Sequence, residues 1–261
     1  GSEMCIRDRI KADGADCFER YDPTSTGPNL LPWVELTYYR QFGDIDRLHK
    51  VFPALCAYAK WWRLNRTWPD GTYWSSGWGT GMDNMPRVKP EYNPIFSHGH
   101  MVWLDTNLQQ MLVDESLLNI GFYIERWQEI EDMEDEMKRL RAYVNEHLWD
   151  ERTAFLYDRY GDGTLCTTKG IGAFWALQAD ALDKERLDRM VAHLSDTTEF
   201  DRPHRVPSLS ADHPKYNPLG RYWQGGVWPG TNYMTIDGLY RKGYHDLARE
   251  IAANHYAAVF E

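Results

Sequence analysis

Tyr38-Tyr39-Arg40-Gln41-Phe42-Gly43-Asp44 reads as the end of one helix and the start of the next. Glycine accepts the left-handed backbone that terminates a helix, and an aspartate beside it can cap the first turn of the following one. Beyond Asp44 the apolar residues Ile45, Leu48, Val51, Phe52, Leu55, Tyr58, Ala59 and Trp62 recur at steps of three and four, one face of a helix. Pro53 falls inside that pattern and is expected to kink it. The same stop, aromatic and Arg before Gly, returns in Leu239-Tyr240-Arg241-Lys242-Gly243-Tyr244. Between these junctions three further sets are helical: Leu104, Leu108, Met111 and Leu112; Met133, Met137, Leu140, Val144 and Leu148; Leu182, Leu187, Met190, Val191 and Leu194. Leu247, Ala248, Ile251 and Ala252 follow near the end. The result is an all-α chain of about eight helices in about four αα-hairpins. Trp149–Asp158, followed by the turn Tyr160-Gly161-Asp162-Gly163, is the clearest strand signal and reads as a short β-hairpin or an extended excursion after a helix.

Apolar residues make up 43% of the 261, enough for a substantial core, and the formal net charge is −10. Acidity on this scale argues against a nucleic-acid partner, which needs a basic surface. No apolar run approaches the roughly 18 residues that would span a membrane. Cys5, Cys17, Cys56 and Cys166 are scattered without metal-ligand spacing and are read as free thiols. No metal or cofactor is expected. Gly1-Ser2 looks like a cloning scar and the stretch to Arg9 like translated adapter, so residues 1–9 are set aside as a non-native leader and 10–261 are read as one domain.

Two long loops, Trp68–His100 and Thr197–Trp228, concentrate the aromatic residues of a chain with 12 tryptophans. Loops of this length are usually functional or disordered, and these are too aromatic for disorder. The first holds Trp74 and Trp78, then Asp83, then Arg87. The second holds Arg221-Tyr222-Trp223-Gln224-Gly225-Gly226-Val227-Trp228, with Asn232 just beyond. Indole rings stack on the apolar face of a pyranose, and a carboxylic acid beside them can protonate a glycosidic oxygen. A small carbohydrate is therefore the expected partner. The bland alternative is that these tryptophans are simply core.

Asp83 is the candidate acid. Apolar neighbours would disfavour its charged form and keep it protonated near neutral pH. Equally, Asp83-Asn84 could form an Asx-turn on their own backbone before Pro86. Asp105, in Trp103-Leu104-Asp105-Thr106-Asn107, either caps the helix that follows or faces the cleft, and Arg87 is a candidate ion-pair partner for Asp83 or Asp105. Trp223 and Trp228 read as stacking platforms, Gln224 and Asn232 as hydrogen-bonding groups for hydroxyls, and Gly225-Gly226 as a place where backbone could approach a ligand. The alternative is a tight loop packed on the core. His98 and His100 lack a third ligand at metal spacing and are read as polar loop residues.

The segments Gly79-Thr80-Gly81-Met82-Asp83-Asn84-Met85-Pro86-Arg87, Trp103-Leu104-Asp105-Thr106-Asn107, Leu148-Trp149-Asp150-Glu151 with Phe155-Leu156-Tyr157-Asp158, Val206-Pro207-Ser208-Leu209-Ser210 and Tyr222–Tyr233 run in one order along the chain. In that order they resemble the catalytic domain of glycoside hydrolase family 63, its mannosylglycerate and glucosylglycerate hydrolase branch, and more distantly trehalase-like six-hairpin glycosidases. The resemblance implies an (α/α)6 toroid, here an incomplete one. It also implies an inverting hydrolase of a small α-glucoside or α-mannoside, a disaccharide or glycosyl-glycerate. It assigns the general acid to Asp83 and the sugar subsite to Tyr222, Trp223, Gln224 and Trp228. Trp74, Trp78, Arg87, Asp105, Asn107, Gly225 and Asn232 complete the expected binding set. The family's general base is a Glu in a Trp-Glu loop expected beyond Glu261, so the polypeptide as written is expected to hydrolyse poorly. Two other readings stand beside this one: a non-catalytic carbohydrate-binding protein, and a sugar epimerase or phosphorylase using His98, His100 or His204.

Overall fold

The computed structural model describes residues 27–260, so the expected leader and Cys5 and Cys17 lie outside the described residues. Among the described residues there are eight α-helices, one of them a single turn. Helix α1 (Leu31–Phe42) stops at Gly43, whose φ of 70° turns its N–H back to the Tyr39 carbonyl. Helix α2 (Ile45–Asn65) begins at once, its first turn capped by the Asp44 carboxylate accepting from the Arg47 N–H at 3.0 Å. It continues through Pro53 as one element rather than ending there. The single turn α3 (Gly77–Thr80) sits in the first long loop. Then come α4 (Leu104–Ile124), α5 (Met133–Tyr143), α6 (Lys184–Ala192), α7 (Pro229–Arg241) and α8 (His245–Phe260). The apolar period that ran on to Leu148 is continued past α5 by a π-helical turn over Val144–Leu148.

These helices alternate between two layers. Helix α1, helix α4, a 3₁₀ helix (Ile171–Leu177) and α7 contact one another in succession. Helices α2, α5 and α8 each lie against the member that precedes them in the chain. That makes four successive pairs if the 3₁₀ helix and α6 count as the third. All seven residues of the 3₁₀ helix are buried. Helix α4 is the spine: α1, α2, α5 and the 3₁₀ helix all touch it, and its buried residues run from Leu104 to Ile124 on every side. A helix covered all round must bury polar groups too, each with a partner.

The strands are two-residue pieces. β2 (Trp149–Asp150) pairs antiparallel with β3 (Phe155–Leu156), so the expected hairpin forms, but it turns at residues 151–154 and not at the Tyr160–Gly163 turn. β1 (Met101–Val102), just before α4, pairs antiparallel with β4 (Arg159–Tyr160). The second pairing brings Asp158 to the first turn of α4, where it accepts the Leu104 N–H at 2.8 Å. Cys56 and Cys166 are buried free thiols. No helix among the described residues is long and apolar enough to cross a membrane.

A buried guanidinium locks the first long loop onto this frame. Arg87 donates to both oxygens of Asp105 (2.7 and 3.0 Å) and to both of Asp158 (2.8 and 2.5 Å), with its face over the Trp103 ring at 4.3 Å. Burial pulls the Arg87 pKa down, but the two carboxylates more than offset it, so the group stays charged. Burial pushes the Asp158 pKa up against the pull of Arg87. Removing one partner strands a buried charge, which costs about 3–5 kcal/mol. Arg87→Ala should therefore lower the melting temperature by about 10 °C in a domain of this size. A melt within 2 °C or so of wild type would show that the fork carries no such weight.

A further buried carboxyl sits between α2, α4 and α5. Asp114 is fully buried and accepts from the Gln110 amide at 2.9 Å. Nearby Glu136 takes Arg63 and the Tyr73 hydroxyl. Burial, and then the Glu136 charge, raise the Asp114 pKa well above the usual carboxylate range. The native state thus holds a proton that the unfolded chain releases at about pH 4. The stability tied to that proton is complete below about pH 4 and drains away as pH climbs toward the native pKa. Asp114→Asn should remove the loss, raising the melting temperature at pH 7 relative to wild type and shrinking the difference at pH 4. A variant that melts lower than wild type at pH 7 would mean that Asp114 is ionised and paired in the native state.

Candidate active site

The Asp83 loop and the Trp223 loop meet. Asn84 is the joint: its side-chain oxygen accepts the Trp223 N–H at 2.8 Å and its amide nitrogen donates to the Arg221 carbonyl at 3.1 Å. The Gln224 amide donates to the Asn84 carbonyl at 3.2 Å. Beside this joint the Tyr222 hydroxyl donates to Asp83 Oδ2 at 3.3 Å. Asp83, Asn84, Tyr222 and Gln224 are all partly exposed. Asn84 therefore bonds across some 140 residues of sequence rather than to its own backbone, so the Asx-turn alternative does not describe it.

The tryptophans of the second loop are arranged differently from the platforms expected. Trp223 and Trp228 stack on each other, centroids 4.5 Å apart and planes 12° apart. Trp223 is only 8% exposed, so the paired face of each ring is taken by its neighbour. Tyr222 stands edge-on to Trp228 at 5.1 Å. The backbone folds tightly to allow this. A Cβ on Gly225 would lie 2.4 Å from the Asn217 carbonyl, and one on Gly226 would lie 2.4 Å from the Tyr222 carbonyl. Gly225-Gly226 thus admits the loop's own backbone, which corrects its reading as a ligand approach.

Of the two partners expected for Arg87, Asp105 is the one it takes, together with Asp158, and three further expected contacts are corrected. Asp105 is 1% exposed and faces Arg87 rather than a cleft, while also accepting the Thr106 N–H. Asn107 accepts the Tyr73 N–H and donates to the Tyr73 and Trp103 carbonyls, so it ties the start of α4 to the first loop. Asn232 does the same for the second loop, accepting the Val206 N–H and donating to the Val206 and Trp228 carbonyls. Both asparagines are buried, and their amides hold backbone rather than a hydroxyl ligand.

Trp74 and Trp78 flank the Asp83 loop. Trp74 lies under the Arg66 guanidinium at 4.6 Å and beside His98 at 5.4 Å. His98 and His100 contact each other, and Trp68 contacts both. Burial, and then His100, lower the His98 pKa, which favours a neutral packed ring. Trp78 packs against Phe96, an exposed ring on the rim that the sequence did not single out. Among the described residues no group of three His, Cys, Asp or Glu side chains is placed to hold a metal ion. On the Trp223 loop a cavity of about 510 Å³ opens, bordered by Tyr216, Leu219, Gly226, Pro229, His204 and His255.

Asn84 and Asp158 are the residues the sequence undervalued. Asp158 stood in a quoted motif without a role, and Asn84 only as a turn former. A partly buried carboxyl thus stands beside Tyr222, whose ring meets the Trp223–Trp228 pair, and a carboxyl so placed can exchange a proton with a ligand that reaches it.

The chain is similar to several known proteins. The protein of Borreliella burgdorferi that matches over 228 residues is uncharacterised and 25% identical, and the match takes in 87% of this chain and 46% of that one. A mannosylglycerate hydrolase of Rubrobacter radiotolerans is 32% identical over 113 residues, 40% of this chain and 24% of its own. This chain thus spans about half, or less, of the length of these curated relatives. The crystal structure of the family 63 mannosylglycerate hydrolase of Thermus thermophilus in complex with glucose superposes with a TM-score of 0.79, covering 95% of this chain and 69% of that one at 21% identity. That likeness shows the shared fold, the helical-hairpin toroid. The description "Mannosylglycerate hydrolase MGH1-like glycoside hydrolase domain" matches residues 13–261, and the chain belongs to that family.

Proposed function

We propose that this chain carries the acid-bearing sugar site of a glycoside hydrolase acting on a small α-glucoside or α-mannoside, a disaccharide or a glycosyl-glycerate. Asp83 is the general acid: its proton passes to the glycosidic oxygen as the bond to the anomeric carbon breaks. In the inverting mechanism a water attacks the opposite face of the sugar, helped by a second carboxylate about 6.5–9.5 Å from the first. Asp105 and Asp158 are unsuited to that second role, because Arg87 occupies both of their oxygens. The observation that supports the reading is the contact of Asp83-Asn84 with Tyr222-Trp223-Gln224, in which the Asp83 carboxyl accepts the Tyr222 hydroxyl. Family membership supports the same chemistry.

The test separates binding from proton transfer. Calorimetric titration with mannosylglycerate, glucosylglycerate and trehalose is paired with an assay for released reducing sugar. Asp83→Asn should leave ligand binding within a few-fold of wild type and reduce hydrolysis by about 10²–10⁴-fold, the usual worth of a general acid. Hydrolysis unaffected by Asp83→Asn would remove the acid assignment. Failure of all three ligands to bind would remove the sugar-site reading.

A further inference from the structure

We propose that Tyr222 is a positioning residue for the Asp83 carboxyl, and that Asn84 is the bolt that holds it there. Its significance for catalysis rests on the reading of Asp83 as an acid, but the coupling itself does not. Three observations converge on it. The Tyr222 hydroxyl donates to Asp83 Oδ2 at 3.3 Å, across 139 residues of sequence. Arg221 and Tyr222 both have left-handed backbone, φ 36° and 65°, which side chains larger than glycine rarely adopt. Such a conformation persists only where its surroundings enforce it. The enforcement is visible: the Asn84 side chain grips the Arg221 carbonyl and the Trp223 N–H, one residue to either side of Tyr222. The neighbour of the acid therefore fixes the segment that brings the phenol to the acid.

The chemistry follows from the geometry. An O–H donated to Oδ2 helps to fix the carboxyl rotamer and favours the acid proton on Oδ1. As the proton leaves Oδ1 for a substrate oxygen, negative charge grows on the carboxylate, and the tyrosine hydroxyl stabilises that charge. Tyr222 gives up no proton and forms no bond. It makes Asp83 a better-aimed and slightly stronger acid. A separation of 3.3 Å is long for an O–H···O contact, so the coupling is modest in the unliganded chain.

The experiment reads Asp83 directly. The chain is labelled with ¹³C at aspartate carboxyls, the Asp83 resonance is assigned by its loss in Asp83→Asn, and its titration is followed by NMR. Tyr222→Phe keeps the ring and removes the hydroxyl. It should raise the apparent pKa of Asp83 by about half a unit, a threefold change in proton affinity. Asn84→Ala should move it the same way, and the double variant no further than the larger single shift. A Tyr222→Phe titration within 0.1 unit or so of wild type, or a shift downward, overturns the proposal. Full additivity of the two variants overturns the role given to Asn84. No substrate is present, so failed hydrolysis would count against the proposed function and leave this result standing, and the converse holds.

Discussion

One buried guanidinium sets where everything else can go. Arg87 closes two bidentate forks, on Asp105 at the start of α4 and on Asp158 between the β3 and β4 strands. Its own carbonyl accepts the Tyr160 hydroxyl, and the Pro86 carbonyl accepts the Thr168 hydroxyl at 2.7 Å. The first long loop is thereby sewn to the spine helix and to the segment after the β-hairpin at once. Asp83 lies four residues from that anchor, too close to wander. A charged group at this depth is a poor source of net stability compared with apolar packing, since desolvation offsets much of the attraction. What it contributes here is a fixed address for the loop, because its planar fork must meet both carboxylates at once.

The second loop is placed by a different principle. Its buried charges, Glu199 and Arg205, pair with Lys169, His193 and Glu250 and not with the first loop. Its order comes from Asn232 gripping Val206 from the first turns of α7, from the stacked indoles of Trp223 and Trp228, and from Asn84 reaching over from the opposite loop. An asparagine suits such joints because one side chain carries a donor and an acceptor at a fixed angle. Asn84, Asn107 and Asn232 each use both to pin backbone. The two loops thus meet along one seam, where the Asp83 carboxyl stands beside the Tyr222 hydroxyl.

Much of the fold was legible in the sequence because its signals are local. Gly43-Asp44 marks a stop and a start that depend on nothing beyond one turn, and the periodic apolar residues of α2 and α6 are amphipathic faces. The 3₁₀ helix over Ile171–Leu177 was not legible, since seven residues buried on every side have no polar face to set a period. The near end of α4 was marked by its apolar residues, but its length was hidden for the same reason. At the site, residue types were informative and pairings were not. Asp83 and the Tyr222–Trp228 segment announced themselves by composition. That Arg87 would choose Asp158, that two indoles five residues apart would stack, and that Asn84 would join the loops are facts of tertiary geometry, set by which segments the helices bring together.

The central claim is that the two loops form one sugar-binding surface, and ¹H–¹⁵N NMR can address it residue by residue. Neither the Trp223 nor the Trp228 indole N–H has a hydrogen-bond acceptor among the described residues, which makes both sensitive reporters. On titration with glucose or a glycosyl-glycerate, the two indole signals and the Asn84 side-chain amide should shift together and saturate with a single dissociation constant. Shifts confined to one loop, or two loops saturating at different ligand concentrations, would contradict a shared site.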